Sequence, residues 1–194
     1  MKIAIIDYGA GNIQSIKFAV QRLGYEAALT SRPDEIQNAD KVIFPGVGEA
    51  SSAMNKLKSS GLHKLIPELK QPVLGICLGM QLMCNFSEEN NTEGLKIFNT
   101  GVVKFKNDVK IPQIGWNKIS NLKTTLFEGI EEGAYMYLVH SYYVPLHKNA
   151  ISTTYYGIEY ASALHKDNFY GVQFHPEKSS KEGSRVLANF LKIK

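Results

Sequence analysis

A cysteine stands at the end of a short apolar run and is flanked by two glycines. Cys77 follows the run 73–76, and Gly75 and Gly79 lie two residues to either side, which gives the pattern G-x-C-x-G. This pattern is typical of a nucleophile elbow, in which a strained strand-to-helix turn exposes one reactive side chain. Larger neighbours would crowd such a turn. A helix that begins at Leu78 favours the thiolate, and the Leu78 amide can donate to an oxyanion.

A histidine and a glutamate near the end of the chain supply the other groups that a thiol nucleophile needs. They lie two residues apart in Phe174-His175-Pro176-Glu177, directly after a predicted strand. Alternate residues of an extended chain share a face, so Glu177 can hold one ring nitrogen while the other faces the thiol. The sequence therefore predicts a triad of Cys77, His175 and Glu177. The alternative is a surface turn at His-Pro-Glu.

A glycine-rich loop, Pro45-Gly46-Val47-Gly48, follows another predicted strand. Gly46 and Gly48 permit backbone conformations and close approaches that other residues resist. In a parallel sheet this loop would lie at the carboxyl edge beside Cys77, where its amides could complete an oxyanion hole with that of Leu78. A simple turn is the competing interpretation. His140, at the end of a later strand, is a further candidate for the lining of the site.

Strand and helix patterns alternate over the first part of the chain. Strands are predicted at 2–7, 25–29, 41–44 and 73–76, and helices at 13–23, 49–60, around 62–69 and at 78–86. This alternation favours a parallel sheet with right-handed crossovers. Cys84 is expected two helical turns beyond Cys77, packed as a small hydrophobic side chain.

The second part of the chain is dominated by strand patterns. Strands are predicted at 102–106, 117–119, 134–139, 151–155, 162–165 and 169–174, with turns such as 107–108, and a helix at 179–193. The expected fold is α/β and three-layered: a mixed, mostly parallel central sheet with helices on both faces and an antiparallel extension. A single domain over residues 1–194 is expected.

Composition narrows the classes of function. The 194 residues are 44% apolar and 21% charged, with a net charge of +4 from scattered lysines, so no nucleic-acid partner is predicted. Neither a signal peptide nor a membrane span is expected, and two cysteines make no disulfide framework, which favours a cytoplasmic protein with reduced thiols. The five histidines lack metal-ligand spacing, and Gly9-Ala10-Gly11 lacks a dinucleotide fingerprint. No metal and no cofactor are predicted.

The motif Gly75-Ile76-Cys77-Leu78-Gly79-Met80-Gln81 and the distal Phe-His-Pro-Glu resemble those of class I, triad-type glutamine amidotransferases. The likeness covers nearly the whole chain. Within that family, further segments resemble the glutaminase subunits of imidazole glycerol phosphate synthases in histidine biosynthesis. These segments are 7–12, 45–48, 112–117, 139–142 and 175–179.

The resemblance implies that Cys77 attacks the side-chain amide of glutamine and that His175, oriented by Glu177, takes the thiol proton and later passes it to ammonia. Hydrolysis of the thioester then gives glutamate. The oxyanion donors would be the amide of Leu78 and one of the Gly46–Gly48 loop, most plainly Val47. Four residues match positions that hold or line glutamine: Gln81, Glu93, Ser141 and Tyr142. For Gln81 the alternative is an ordinary helix-surface residue, and for Glu93 an exposed loop residue.

The resemblance also implies a partner, a (β/α)8-barrel cyclase that forms a heterodimer with the chain and receives ammonia through its core. The implied interface residues are Asn12, Trp116, Tyr137 and Lys178. Trp116, the single tryptophan, suits an exposed interface aromatic. Its alternative is a core anchor, and the alternative for Tyr137 is an ordinary strand residue.

Other functions remain open at this point. A paralogous glutaminase that feeds ammonia to a sugar-modifying synthase would carry the same motifs. A catalytically silent scaffold subunit on the same fold is a third hypothesis. An independent cysteine hydrolase or peptidase is disfavoured, because Gly79-Met80-Gln81 and His-Pro-Glu both fit glutamine chemistry.

Overall fold

A computed structural model describes residues 1–106 and 109–194. The predicted turn at 107–108 lies outside these residues. The strands are β1 (Ile3–Ile6), β2 (Ala27–Thr30), β3 (Lys41–Phe44), β4 (Val73–Ile76), β5 (Cys84–Ser87), β6 (Thr92–Glu93), β7 (Phe98–Lys104), β8 (Gln113–Lys118), β9 (Tyr135–His140), β10 (Tyr142–Pro145), β11 (Ala150–Tyr155), β12 (Glu159–Lys166) and β13 (Phe169–Val172). The helices are α1 (Ile13–Arg22), α2 (Pro33–Gln37), α3 (Ala50–Ser59), α4 (Leu62–Leu65), α5 (Leu78–Leu82) and α6 (Ser180–Lys192).

Eleven of the described strands form a large mixed sheet in the order β2-β1-β3-β4-β13-β12-β10-β7-β5-β6, with β11 paired to β12. From β2 to β13 every neighbouring pair is parallel. From β13 to β7 the pairing is antiparallel. The predicted parallel sheet with an antiparallel extension is therefore confirmed.

Two apolar cores lie on opposite faces of the parallel strands, because side chains alternate along each strand. On β1, Ala4 and Ile6 join the core with α3 and α4, whereas Ile3 and Ile5 join the core with α1 and α6. Helices therefore cover both faces, as the three-layer prediction requires. Within the described residues, none of the helices has the length and apolar character needed to cross a membrane.

The predicted helix 78–86 is wrong beyond its first turn. The helix ends at Leu82, and Cys84–Ser87 is strand β5, paired with β7 and β6. The backbone N–H groups of Leu95 and Ile97 donate to the carbonyls of Leu82 and Met83, which ends the helix. Pairing with distant strands overrides the local pattern here. Cys84 is fully buried, as predicted, but it lies on a strand.

Two strands that were predicted for the antiparallel extension are not part of the large sheet. Segments 117–119 and 134–139 correspond to β8 and β9, which form a separate antiparallel hairpin. Strand β10 and helix α2 had no counterpart in the prediction. Helix α2 has Pro33 in its first turn, followed by Asp34 and Glu35. This sequence pattern is typical of a helix N-terminus.

Close backbone packing fixes the turn around Cys77. A Cβ added at Gly79 would overlap the carbonyl oxygen of Phe44, and one at Gly75 would overlap the terminal methyl of Met83. A Cβ at Gly46 would lie 2.6 Å from the backbone nitrogen of Gly79. The requirement for small residues in G-x-C-x-G thus has specific steric causes.

We predict that Gly79→Ala lowers the free energy of unfolding by about 2–3 kcal/mol, because the Phe44 carbonyl belongs to a buried strand and cannot move aside. Gly101→Ala is the matched control, since its Cβ would make an ordinary 3.8 Å contact. Chemical denaturation measures both. Equal stability of the two variants would contradict this account of the turn.

Candidate active site

Three loops meet at one edge of the sheet because their strands are neighbours. Strands β3, β4 and β13 lie side by side and run parallel, so their carboxyl ends coincide. Strand β3 is followed by the Pro45–Gly48 loop, β4 by Cys77, and β13 by residues Gln173 to His175. These loops and the end of β9 surround a cavity of about 330 Å³.

Cys77 has the backbone conformation of a strained elbow, with φ +53° and ψ −112°. Its Sγ lies 3.8 Å from the carbonyl oxygen of Val139 and 3.7 Å from Nε2 of Gln173. The side chain lines the cavity together with that of His175. A non-glycine residue in this conformation costs about 1–3 kcal/mol and is typical of functional sites.

His175 and Glu177 are joined by a 2.9 Å hydrogen bond between Nδ1 and Oε1. The predicted pairing therefore exists, but the expected extended geometry is wrong, since Pro176–Lys178 form a 3-10 turn. The main chain holds His175 in place: its N–H donates to the Tyr137 carbonyl and its carbonyl accepts from Oγ of Ser179. The other carboxylate oxygen of Glu177 is buried and has no hydrogen-bond partner among the described residues.

The charge state of His175 follows from its two neighbours. Burial disfavours the protonated ring, but hydrogen bonds and charge at Cys77 and Glu177 outweigh it and raise the pKa of His175 to about 10. With Nδ1 held by Glu177, Nε2 is the ring nitrogen left for the thiol. The ring is therefore protonated at neutral pH.

His140 lines the cavity and is buried, in agreement with its candidacy. Its Nδ1 lies 2.8 Å from the Tyr142 carbonyl oxygen, and Nε2 lies 3.2 Å from the Tyr160 hydroxyl. Burial lowers the pKa of His140 to about 4, against the opposing effect of the Tyr142 carbonyl. The ring is therefore neutral and fixes the wall of the cavity.

The glycine loop reaches the cavity through Val47 and Gly48, and Leu78 also lines it. Gly46 is instead packed beneath, against the backbone of Gly79. Tyr8, which the sequence analysis did not select, donates from its hydroxyl to the Pro45 carbonyl at 3.0 Å and anchors this loop. It lies two residues after the end of β1, at the same sheet edge, and this position is the sequence signal for its role.

Three of the four residues matched to glutamine binding line the cavity: Gln81, Ser141 and Tyr142. Glu93 does not. It is an exposed residue of β6, paired with Lys96, and lines a separate cleft with Met54 and Lys58. Glu89 lines the cavity in its place. The short turn at Glu89–Asn91, which propensity alone did not reveal, directs Glu89 towards the site.

Three of the four residues matched to a partner interface, Trp116, Tyr137 and Lys178, lie in contact with one another. Trp116 is 52% exposed, which excludes a core anchor, and its ring makes an edge contact with Tyr137 at 6.0 Å. The Lys178 ammonium lies 6.0 Å from the centre of the Tyr137 ring, and Lys178 also lines the cavity. Asn12 is half-buried at the start of α1 and accepts a hydrogen bond from Ser15.

Across residues 1–106 and 109–194, no three His, Cys, Asp or Glu side chains cluster closely enough to hold an ion.

The chain matches the glutamine amidotransferase class-I family over residues 4–193 and belongs to that family. This confirms the resemblance expected from its motifs. The fold agrees: the chain superimposes on a crystallised glutamine amidotransferase with a TM-score of 0.77 at 16% identity, covering 98% and 97% of the two chains. For PurLQS from Thermotoga maritima the TM-score is 0.73 at 14% identity, with the same coverage.

More similar relatives define the branch within the family. The chain is 54% identical to imidazole glycerol phosphate synthase subunit HisH of Bacteroides fragilis strain YCH46, over 100% of both chains. It is 47% identical to the HisH subunit of Buchnera aphidicola, again over 100% of both. Subunit HisH 2 of Methanococcus maripaludis is 48% identical over 98% of both. The chain groups with these HisH subunits, as the further motifs predicted.

The pKa values of the two buried histidines should be shifted in opposite directions. We expect His175 to stay protonated as the pH rises to about 10 and His140 to stay neutral as the pH falls to about 4. NMR of the ring protons measures both titrations. In the unfolded chain His140 binds a proton near pH 6.5, whereas in the folded chain it does so only near pH 4. His140 therefore makes the free energy of unfolding fall as the pH drops from 6.5 to 4. Titration of both rings near pH 6.5 would contradict this arrangement.

Proposed function

We propose that this chain is the glutaminase subunit of an imidazole glycerol phosphate synthase and hydrolyses glutamine at Cys77. The observation that carries the proposal is the His175–Glu177 hydrogen bond of 2.9 Å beside the strained Cys77, in a cavity of about 330 Å³. Such a cavity accommodates an amino acid, and the three side chains supply nucleophile, base and orienting acid.

The proposed reaction begins with attack of the Cys77 sulfur on the side-chain amide carbon of glutamine. The carbonyl oxygen becomes an oxyanion, held by the Leu78 amide and by an amide of the glycine loop at Val47. Protonated His175 gives its proton to the departing nitrogen, and ammonia leaves with formation of a thioester. Water, deprotonated by His175, then attacks the thioester and releases glutamate, which regenerates the enzyme.

The polar groups of the cavity suit the amino-acid end of glutamine. Both N–H groups of Gln81 are used, by the Tyr142 carbonyl and by Oε1 of Gln173, each at 2.9 Å. Gln81 thus presents an acceptor oxygen to a ligand. Glu89 adds a carboxylate on the same cavity. Together they favour a substrate ammonium group, and Ser141 and Tyr142 also line the cavity.

The partner in this proposal is a (β/α)8-barrel cyclase that uses the ammonia. Lys178, Tyr137 and Trp116 form a continuous contact from the cavity to an exposed aromatic surface, which supports a docking face there. Asn12 stays a predicted interface residue. The proposal includes a cytoplasmic location, where Cys77 would remain reduced. A paralogous subunit that serves a sugar-modifying synthase would differ in its partner, and a silent scaffold would not release glutamate.

In the complex with its cyclase, Cys77→Ala should abolish glutamine-dependent synthesis and leave ammonia-dependent synthesis nearly unchanged, since only the nucleophile is lost. His175→Ala should lower glutamate release by at least about 10²-fold, the usual contribution of a general base. Glutamate and product are measured for each variant. Loss of the ammonia-dependent reaction in Cys77→Ala, or an unchanged rate in His175→Ala, would contradict the proposal.

Two acidic residues provide a matched test of the binding pocket. Glu89→Gln should raise KM for glutamine about tenfold with a smaller change in kcat, because it removes a charged partner of the substrate ammonium group. Glu93→Gln makes the same chemical change outside the cavity and should leave both constants unchanged. Steady-state glutaminase kinetics of the complex measure these effects. A raised KM for Glu93→Gln, with unchanged constants for Glu89→Gln, would instead place Glu93 in the binding site.

A further inference from the structure

Gln173 is a fully buried amide between β13 and His175. Its Nε2 lies 3.7 Å from the Cys77 sulfur, within hydrogen-bonding distance for sulfur, and its Oε1 accepts from Nε2 of Gln81 at 2.9 Å. Gln173 is not a member of the proposed triad and does not line the cavity. It nevertheless contacts the reacting atom directly.

The direction of these hydrogen bonds follows from a single backbone carbonyl. The Tyr142 carbonyl oxygen can only accept, so the Gln81 group that faces it at 2.9 Å must be the NH2. The same nitrogen donates its second hydrogen to Gln173, which must therefore present its oxygen to Gln81. The Gln173 NH2 is then the group that faces sulfur. We call Tyr142, Gln81 and Gln173 the amide relay.

The environment of the sulfur explains why such a donor matters. In the thiol form, Cys77 has the Val139 carbonyl at 3.8 Å as an acceptor. Once the proton leaves, that carbonyl dipole opposes the negative sulfur, whereas an N–H donor stabilises it. A hydrogen bond to the charged form of an acid favours ionisation.

We propose that Gln173 is a further catalytic residue, which donates an N–H to the Cys77 thiolate and stabilises it before attack. This inference rests on the proposed role of Cys77 as nucleophile. His175 and Gln173 then serve different purposes: the ring receives and returns the proton, and the amide stabilises the charge that remains on sulfur. The amide relay prevents Gln173 from presenting its oxygen to sulfur instead.

The test measures the rate at which iodoacetamide alkylates Cys77 as a function of pH, with the modified peptide identified by mass spectrometry. The isolated full chain serves here, without glutamine. Gln173→Met removes the donor. Gln173→Glu keeps an acceptor for Gln81 and also removes the donor, so it covers the case in which the first variant fails to fold. Gln71→Met is the matched control, because Gln71 donates to the distant Ile36 carbonyl.

We expect both Gln173 variants to react about tenfold more slowly than the wild type near neutral pH. At alkaline pH, where any accessible thiol ionises, the Gln173→Met rate should converge with that of the wild type. The control should follow the wild-type profile. Wild-type profiles in both Gln173 variants would overturn the proposal, as would equal slowing of Gln173→Met at every pH, which indicates a structural role.

The alkylation assay separates this inference from the proposed function. A chain that releases no glutamate with any partner can still show the Gln173 effect, in which case the proposed reaction fails and the thiolate contact stands. Conversely, unchanged alkylation in variants of a working glutaminase removes Gln173 from the mechanism and leaves the reaction in place.

Discussion

Parallel pairing of β4 with β3 on one side and β13 on the other is the constraint on which the site depends. Parallel neighbours end at the same edge of a sheet, so the loops that follow these strands must meet. Cys77 and His175 are almost a hundred residues apart in the chain but follow strands that are hydrogen-bonded to each other. The backbone N–H of Cys77 still donates to the Val172 carbonyl, at 2.8 Å, so the two loops leave the sheet together.

The strained elbow is maintained by its surroundings. Its unfavourable backbone conformation is offset by two apolar cores and by close backbone contacts at Gly75 and Gly79. The same contacts bring the Pro45–Gly48 loop against the start of α5, so the nucleophile and one candidate oxyanion loop are positioned by a single steric fit. Tyr8 adds a hydrogen bond to Pro45 from the neighbouring strand end.

Around this elbow, the polar groups form directional networks anchored on main-chain carbonyls. The Tyr142 carbonyl accepts from His140 and from Gln81, which orients both side chains. The Tyr137 carbonyl accepts from the His175 N–H, so β9 supports the imidazole as well as the aromatic surface around Trp116. The active cavity and the candidate docking face therefore share one structural element.

The sequence by itself determined the elements whose signals are local. Buried apolar runs bounded by glycine or proline marked β1, β3 and β4, and the spacing around Cys77, with His-Pro-Glu, indicated a family that the comparisons confirm. The tertiary structure alone decided what depends on distant pairing: residues 84–87 became a strand because β7 lies beside them, and the turn at Glu89–Asn91 brings Glu89 rather than Glu93 to the cavity. The tertiary structure alone also decided the proposed role of Gln173, which depends on an oriented hydrogen bond to the sulfur of Cys77, 96 residues away in the chain. Local propensity carries no information about such partners, because they are chosen by the packing of the whole sheet.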